Sequence, residues 1–244
     1  MLNRAIPYLK VVVHALCLLP LAYLLSLYRT GTLATFADPV NYITHFTGNW
    51  ALWLLLVTLA VTPVRRLHRS LSWMVRFRRM LGLYCFFYAC LHLATYVFLF
   101  SGYDMTMAIS GVRAGNLKEP FRQFGLIWPS MLDDAVKRKF IQVGLLAWVI
   151  LLALAATSTQ GSIRRMGGHA WRTLHALIYA AGILAVIHYW WLVKTGVRTP
   201  WKVTAVLAVL LLWRVGLAVM KAVSARQREV IAGPKPEDEV AKVQ

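Results

Sequence analysis

The sequence predicts an all-α fold: a polytopic membrane bundle of six transmembrane helices with both termini in the cytoplasm. Three observations carry this. First, 59% of the 244 residues are hydrophobic and 15% charged, with a mean hydropathy of +0.58, whereas a soluble domain carries about 25% charge. Second, six segments approach or exceed the roughly 20 apolar residues that a helix needs to cross a bilayer. They cover roughly 8–28, 48–66, 79–100, 140–157, 172–193 and 202–220. Third, the basic residues gather in alternate loops. Helices are the expected form because they satisfy their own backbone groups in lipid.

Taken in order, the first span starts with Arg4 and Lys10 and then runs apolar. It is as long as a full span and shows no signal-peptidase-like site before Arg29, so it reads as a retained helix. Asp38-Pro39 in the following loop is a turn signal. The second span ends at Thr62-Pro63, where proline stops or kinks a helix. Arg65, Arg66, Arg69, Arg76, Arg78 and Arg79 follow without an acid among them, and Arg164, Arg165 and Arg172 mark the next alternate loop. The positive-inside bias places these loops and both termini in the cytoplasm. The net charge of +18 therefore sets topology and attracts anionic membrane lipid, and no nucleic-acid partner is expected.

The segment 102–139, between the third and fourth spans, is the largest exposed piece on the other side. Glycines and prolines are interleaved there with Phe121, Phe124, Ile127 and Trp128, which suggests an amphipathic or partner-facing surface. Residues 1–224 form one membrane domain, and 225–244 read as a polar, disordered cytoplasmic tail. No low-complexity segment or repeat stands out. Cys17, Cys85 and Cys90 fall in spans without a C-x-x-C or C-x-x-C-H motif, so they read as packing residues.

The candidate chemistry lies in the histidines. His92 is in the third span; His175 and His188 share the fifth, 13 residues apart. An imidazole in hydrocarbon is costly and usually has a functional partner; neutral imidazole is also the common axial ligand of haem iron. At about 1.5 Å per residue, His175 and His188 are roughly 20 Å apart along the axis. His92 lies at about the depth of His188, so a bis-histidine haem between these two is the natural pairing. His175 has no matching histidine on the third span, where Arg78 or Arg79 occupies the equivalent depth. An inner haem on His175 would need another second ligand, and those arginines could bind its propionates. Thirteen residues leave two side chains about 140° apart around an ideal helix, so either the sites face different ways or a π-bulge adjusts the register. His14, His45, His68 and His169 read as structural, the last three at loop positions. Arg214, within the sixth span, can snorkel to the interface or serve a propionate or quinone.

The stretches TGNWALWLLLVTLAVTPVRR, RRMLGLYCFFYACLH, ALAATS and WRTLHALIYAAGILAVIHYWW resemble the ferric-reductase-like transmembrane superfamily. More narrowly, they resemble the haem-binding subunit of the bacterial periplasmic methionine sulfoxide reductase system, the MsrQ (formerly YedZ) family. The likeness covers about residues 40–215. It implies an inner-membrane cytochrome with one or two haem b groups. Electrons would come from quinol or a cytoplasmic flavin reductase and pass to a periplasmic molybdopterin-dependent catalytic subunit that reduces methionine sulfoxide in envelope proteins. FMN is associated with some members. The family's haem histidines carry over onto His92, His175 and His188. A full ferric-reductase domain has two histidines on each of two helices, and this chain departs from that at Arg78 and Arg79.

On this reading the chain is an electron-transfer subunit without its own substrate site. Two other readings stay open. A cytochrome b subunit of another reductase, or a ferric reductase, would need a separate flavoprotein, since no G-x-G-x-x-G is present. A cofactor-free transporter would use buried polar residues along a substrate path, but the spans are almost without acids.

Overall fold

The computed structural model describes residues 2–67, 69–193 and 199–232. Among them there is no strand. Six helical segments among the described residues are long and apolar enough to cross a membrane. Span one is α1 (Leu2–Arg29) and span two is α2 (Pro39–Leu67). Span three is α3 (Arg78–Thr95), preceded by a 3-10 segment (Arg69–Phe77) and extended by a π turn (Tyr96–Phe100). Two shorter helices follow, α4 (Met105–Arg113) and α5 (Glu119–Lys137). Span four is α6 (Lys139–Ala156). After α7 (Gln160–Met166), span five is built from α8 (Gly168–His175) and α9 (Ile178–Leu192). Span six is α10 (Thr199–Ala232).

Span two is the axis of the bundle. Half of its most apolar window is buried (50%), against 11% for spans one and six. Leu55, Leu56 and Leu59 lie on its buried face, and they meet Cys85 and Tyr88 of α3, Ile178 and Val186 of α9 and Val203 and Leu207 of α10 in one core. The outer faces of α1 and α10 carry exposed apolar side chains such as Val11, Leu19, Leu212 and Val215. In lipid this exposure is the solvated state.

Several boundaries differ from the sequence reading. Span two begins near Pro39 rather than at about residue 48. Asp38 accepts the Asn41 N–H at 2.9 Å and Pro39 is the first residue of the helix, so the expected turn signal is a helix start. Nor does Pro63 end the helix, which runs on to Leu67. The segment 102–139 is a helical hairpin rather than a loop; Asp104 caps α4 by accepting the Met107 N–H at 2.8 Å. His45 and His169 lie in α2 and α8 rather than in loops, and His68 lies outside the described residues. In the expected tail, α10 continues to Ala232, and 233–244 lie outside the described residues.

Spans one and three are joined through the backbone of span one. Pro20 lies inside α1, and beside it the fully buried Tyr88 hydroxyl enters the backbone ladder. It accepts the Leu21 N–H at 3.2 Å and donates to the Cys17 carbonyl at 2.8 Å. Those two groups pair directly in an unbroken helix. A side chain inserted into the ladder is a recognised cause of helix bending.

Candidate cofactor site

His92 and His188 come together across the bundle. Their ring centroids are 6.1 Å apart and their planes cross at 83°. Each ring is fixed from behind. His92 Nδ1 lies 2.9 Å from the Thr44 carbonyl of α2, and His188 Nδ1 lies 2.7 Å from the Phe140 carbonyl of α6. A carbonyl only accepts, so both Nδ1 atoms carry the proton and donate it. In the neutral imidazole, Nε2 is then left with its lone pair. Neither Nε2 has a hydrogen-bond partner among the described residues.

The rings also press on glycine. A Cβ at Gly48 would stand 3.0 Å from His92 Nδ1 and Cε1, and one at Gly144 would stand 2.7 Å from the same atoms of His188. Both glycines lie one helical turn beyond the carbonyl that receives the ring proton. His45, next to Thr44, acts electrostatically on both rings. The sequence reading missed Gly48 and Gly144, and it took His45 as a structural loop residue. The signal available for the glycines was their equal spacing from His92 and His188.

This arrangement has the chemistry of a bis-imidazole metal site. Two metal–nitrogen bonds of about 2 Å each, plus the reach from ring nitrogen to ring centre, come to about 6 Å between centroids. The observed separation fits a single iron held by both rings, and the Nδ1–H···carbonyl bonds are the usual outer support of such ligands. Among the described residues no cluster of three or more His, Cys, Asp or Glu could hold a metal ion by itself.

His175 stands apart from this pair. Its Nε2 is 3.2 Å from Thr157 Oγ1, and the Trp171 ring stacks on it at 4.0 Å and 27°. Trp171 Nε1 donates to the Thr157 carbonyl at 3.0 Å. Arg78 is within electrostatic range of both His175 and Arg214. Between His175 and His188 the register is adjusted by tightening, not by a π-bulge. Leu177 N–H donates to Leu174 at 3.0 Å and Tyr179 N–H to Ala176 at 3.1 Å, both three residues back. Such steps turn about 120° instead of about 100°, which carries His188 toward the side of His175. The π turn is in span three, just beyond His92.

The other candidates are structural. His14 pairs with the Tyr84 hydroxyl at 2.8 Å. Arg214 donates to the Tyr179 hydroxyl and, at 3.4 Å, to the Leu59 carbonyl, with its guanidinium 4.6 Å from the Tyr179 ring centre. It therefore clamps spans two, five and six together.

Six spans around two facing, backbone-anchored imidazoles define a multi-pass membrane protein with a candidate bis-imidazole cofactor site. Residues 13–187 match the family described as the ferric reductase like transmembrane component. The chain is 45% identical over 222 residues to the protein-methionine-sulfoxide reductase heme-binding subunit MsrQ of Xanthomonas axonopodis pv. citri, covering 89% of this chain and 88% of that one. It is 41% identical to the MsrQ of Xanthomonas oryzae pv. oryzae over 232 residues (93% of each chain), and 39% identical to that of Herminiimonas arsenicoxydans over 208 residues (82% and 84%). No solved structure matches. The chain belongs to the MsrQ family of ferric-reductase-like membrane proteins.

Proposed function

We propose that the chain is the haem-binding membrane subunit of a methionine sulfoxide reductase system, with haem b held between His92 and His188. The observation that carries this reading is the facing pair itself: 6.1 Å between rings, each anchored through Nδ1 with Nε2 left to bind. The names of its relatives support the same reading. Bound haem supplies one-electron chemistry, the iron cycling between ferric and ferrous. The residues set the terms of that exchange. His92 and His188 hold one tautomer and one orientation, and the buried core excludes water around them.

The donor is quinol or a cytoplasmic flavin reductase, FMN serving as an accessory carrier. The acceptor is a periplasmic molybdopterin-dependent catalytic subunit, so the chain lies in the inner membrane with both termini cytoplasmic. His175, with Arg78 and Arg79 at the basic end, forms the seat of a second, inner haem whose propionates meet the guanidiniums. The α4–α5 hairpin, tied to span three by the Tyr96 hydroxyl on Asp134 at 3.2 Å, is the face offered to the catalytic subunit.

The test is a dithionite-reduced minus oxidised spectrum of the detergent-purified protein, with a pyridine haemochrome count of haem per chain. We expect b-type α and Soret bands, and the same component lost in His92→Ala and in His188→Ala. Colourless protein from haem-replete cells would sink the reading. His175→Ala is expected to lower the haem-to-protein ratio while leaving the His92–His188 component in place; an unchanged ratio would return His175 to a structural role. Reduced protein should be reoxidised anaerobically by a methionine sulfoxide substrate only when the catalytic subunit is added.

A further inference from the structure

Two histidines in one bundle are seated in the same way, although the helices that seat them share little sequence. In the first seat, Thr44 gives the carbonyl, Gly48 the gap and His92 the ring. In the second, the same roles fall to Phe140, Gly144 and His188. In both seats the ring-bearing residue is 48 positions beyond its carbonyl. Each member of the second seat stands 96 positions after its counterpart in the first (44 and 140, 48 and 144, 92 and 188).

The physical reason for glycine is local. In a helix the side chain at position i+4 leans back toward the N-terminus, over the turn that contains the carbonyl of residue i. Any side chain there would cover that carbonyl. With glycine, the carbonyl can take a second donor beside its own helical N–H, and the imidazole brings its Nδ1–Cε1 edge against the turn.

We propose that Gly48 and Gly144 are positioning residues for His92 and His188: each opens the carbonyl one turn behind it, so that the ring donates through Nδ1 and presents Nε2 to the space between the spans. The proposal rests on the haem reading above and concerns how the two imidazoles are held. The carbonyl bond makes each imidazole a stronger donor, so losing it should raise the midpoint potential of the haem.

The experiment compares Gly48→Ala and Gly144→Ala with Gly82→Ala and Gly216→Ala in purified, haem-loaded protein. At Gly82 a Cβ would meet only Thr58 at 3.8 Å, and at Gly216 nothing within 4 Å. Readouts are haem per chain, midpoint potential and the ferric low-spin EPR signal. Both seat variants should move the potential upward and change the EPR signal. Gly144→Ala should do so more strongly, because its Cβ would be closer to the ring (2.7 against 3.0 Å). The control variants should keep wild-type values. Seat variants indistinguishable from wild type would overturn the proposal while leaving the haem reading intact. A wild type without haem would remove both.

If the seat variants do not accumulate, the wild type still decides. Planes held at 83° should give the strongly anisotropic ferric signal of crossed imidazoles, read as the component absent from His92→Ala. A rhombic signal, the mark of near-parallel planes, would overturn the seats.

Discussion

At Tyr88 a single hydroxyl does the work of a backbone hydrogen bond. It takes the Leu21 N–H and supplies the Cys17 carbonyl. Tyr88→Phe removes both contacts, but Leu21 and Cys17 can then pair with each other. The expected cost is therefore modest, about 1 kcal/mol. It would be read as a lower melting temperature in detergent at unchanged haem content. Arg214 is less forgiving. Its fork reaches the Tyr179 hydroxyl and the Leu59 carbonyl and lies over the Tyr179 ring. A lysine has no planar fork to repeat this, so Arg214→Lys should melt earlier than wild type, nearly as early as Arg214→Met. Equal stability of Arg214→Lys and wild type would show that the charge alone matters.

Among the elements, the α4–α5 hairpin is held by an acid. Glu119 accepts from Arg122 at 2.6 Å and from Gln123 at 2.7 Å, and it packs so closely on Gly111 that a Cβ there would clash with it. The Arg122 and Gln123 hydrogen bonds hold the Glu119 carboxyl below its usual range. A carboxyl depressed in the folded state contributes above its unfolded pKa of about 4.3 and loses that contribution as pH falls through the lower folded value. Protection of the Glu119–Lys137 amides, taken relative to their intrinsic exchange rates, should therefore fall below about pH 4 in wild type, and Glu119→Gln should show the lower protection already at neutral pH. Little of this hairpin was legible in the sequence. Its glycines, prolines and charges resemble a loop, and only the tertiary contact between Gly111 and Glu119 shows why a helix turns back there. The spans, by contrast, were legible because lipid demands long apolar runs whatever the packing. Pro39 was misread because the same Asp-Pro pair serves a turn and a helix start.

Over the whole molecule, the three-residue seats recur at one offset, and the same 96 positions that relate His92 to His188 relate Arg79 to His175. The two helix pairs are thus alike at one end of the bundle and different at the other, where a guanidinium stands in place of an imidazole. The sequence could show the histidines, because they are rare in spans. It could not show the repeat, because the remaining matches are apolar residues common to any membrane helix, and glycine carries no side chain to announce a role. The proposed sidedness belongs to this scale. A cysteine placed at Ser162 should react with an impermeant thiol reagent only from the cytoplasmic side, and one at Ser110 only from the periplasmic side. The reverse pattern would invert the electron path.

The hydroxyl bridge between spans one and three also bears on how the chain is made. Span one leaves the ribosome first, and alone in lipid it can close the Leu21–Cys17 bond on itself, since an open pair would cost several kcal/mol there. Tyr88 arrives some seventy residues later and brings its hydroxyl to both groups from the side. The first helix is thus tied down after it has been inserted, by a helix not yet synthesised when it entered the bilayer. The contact between these two spans is a late event in biogenesis.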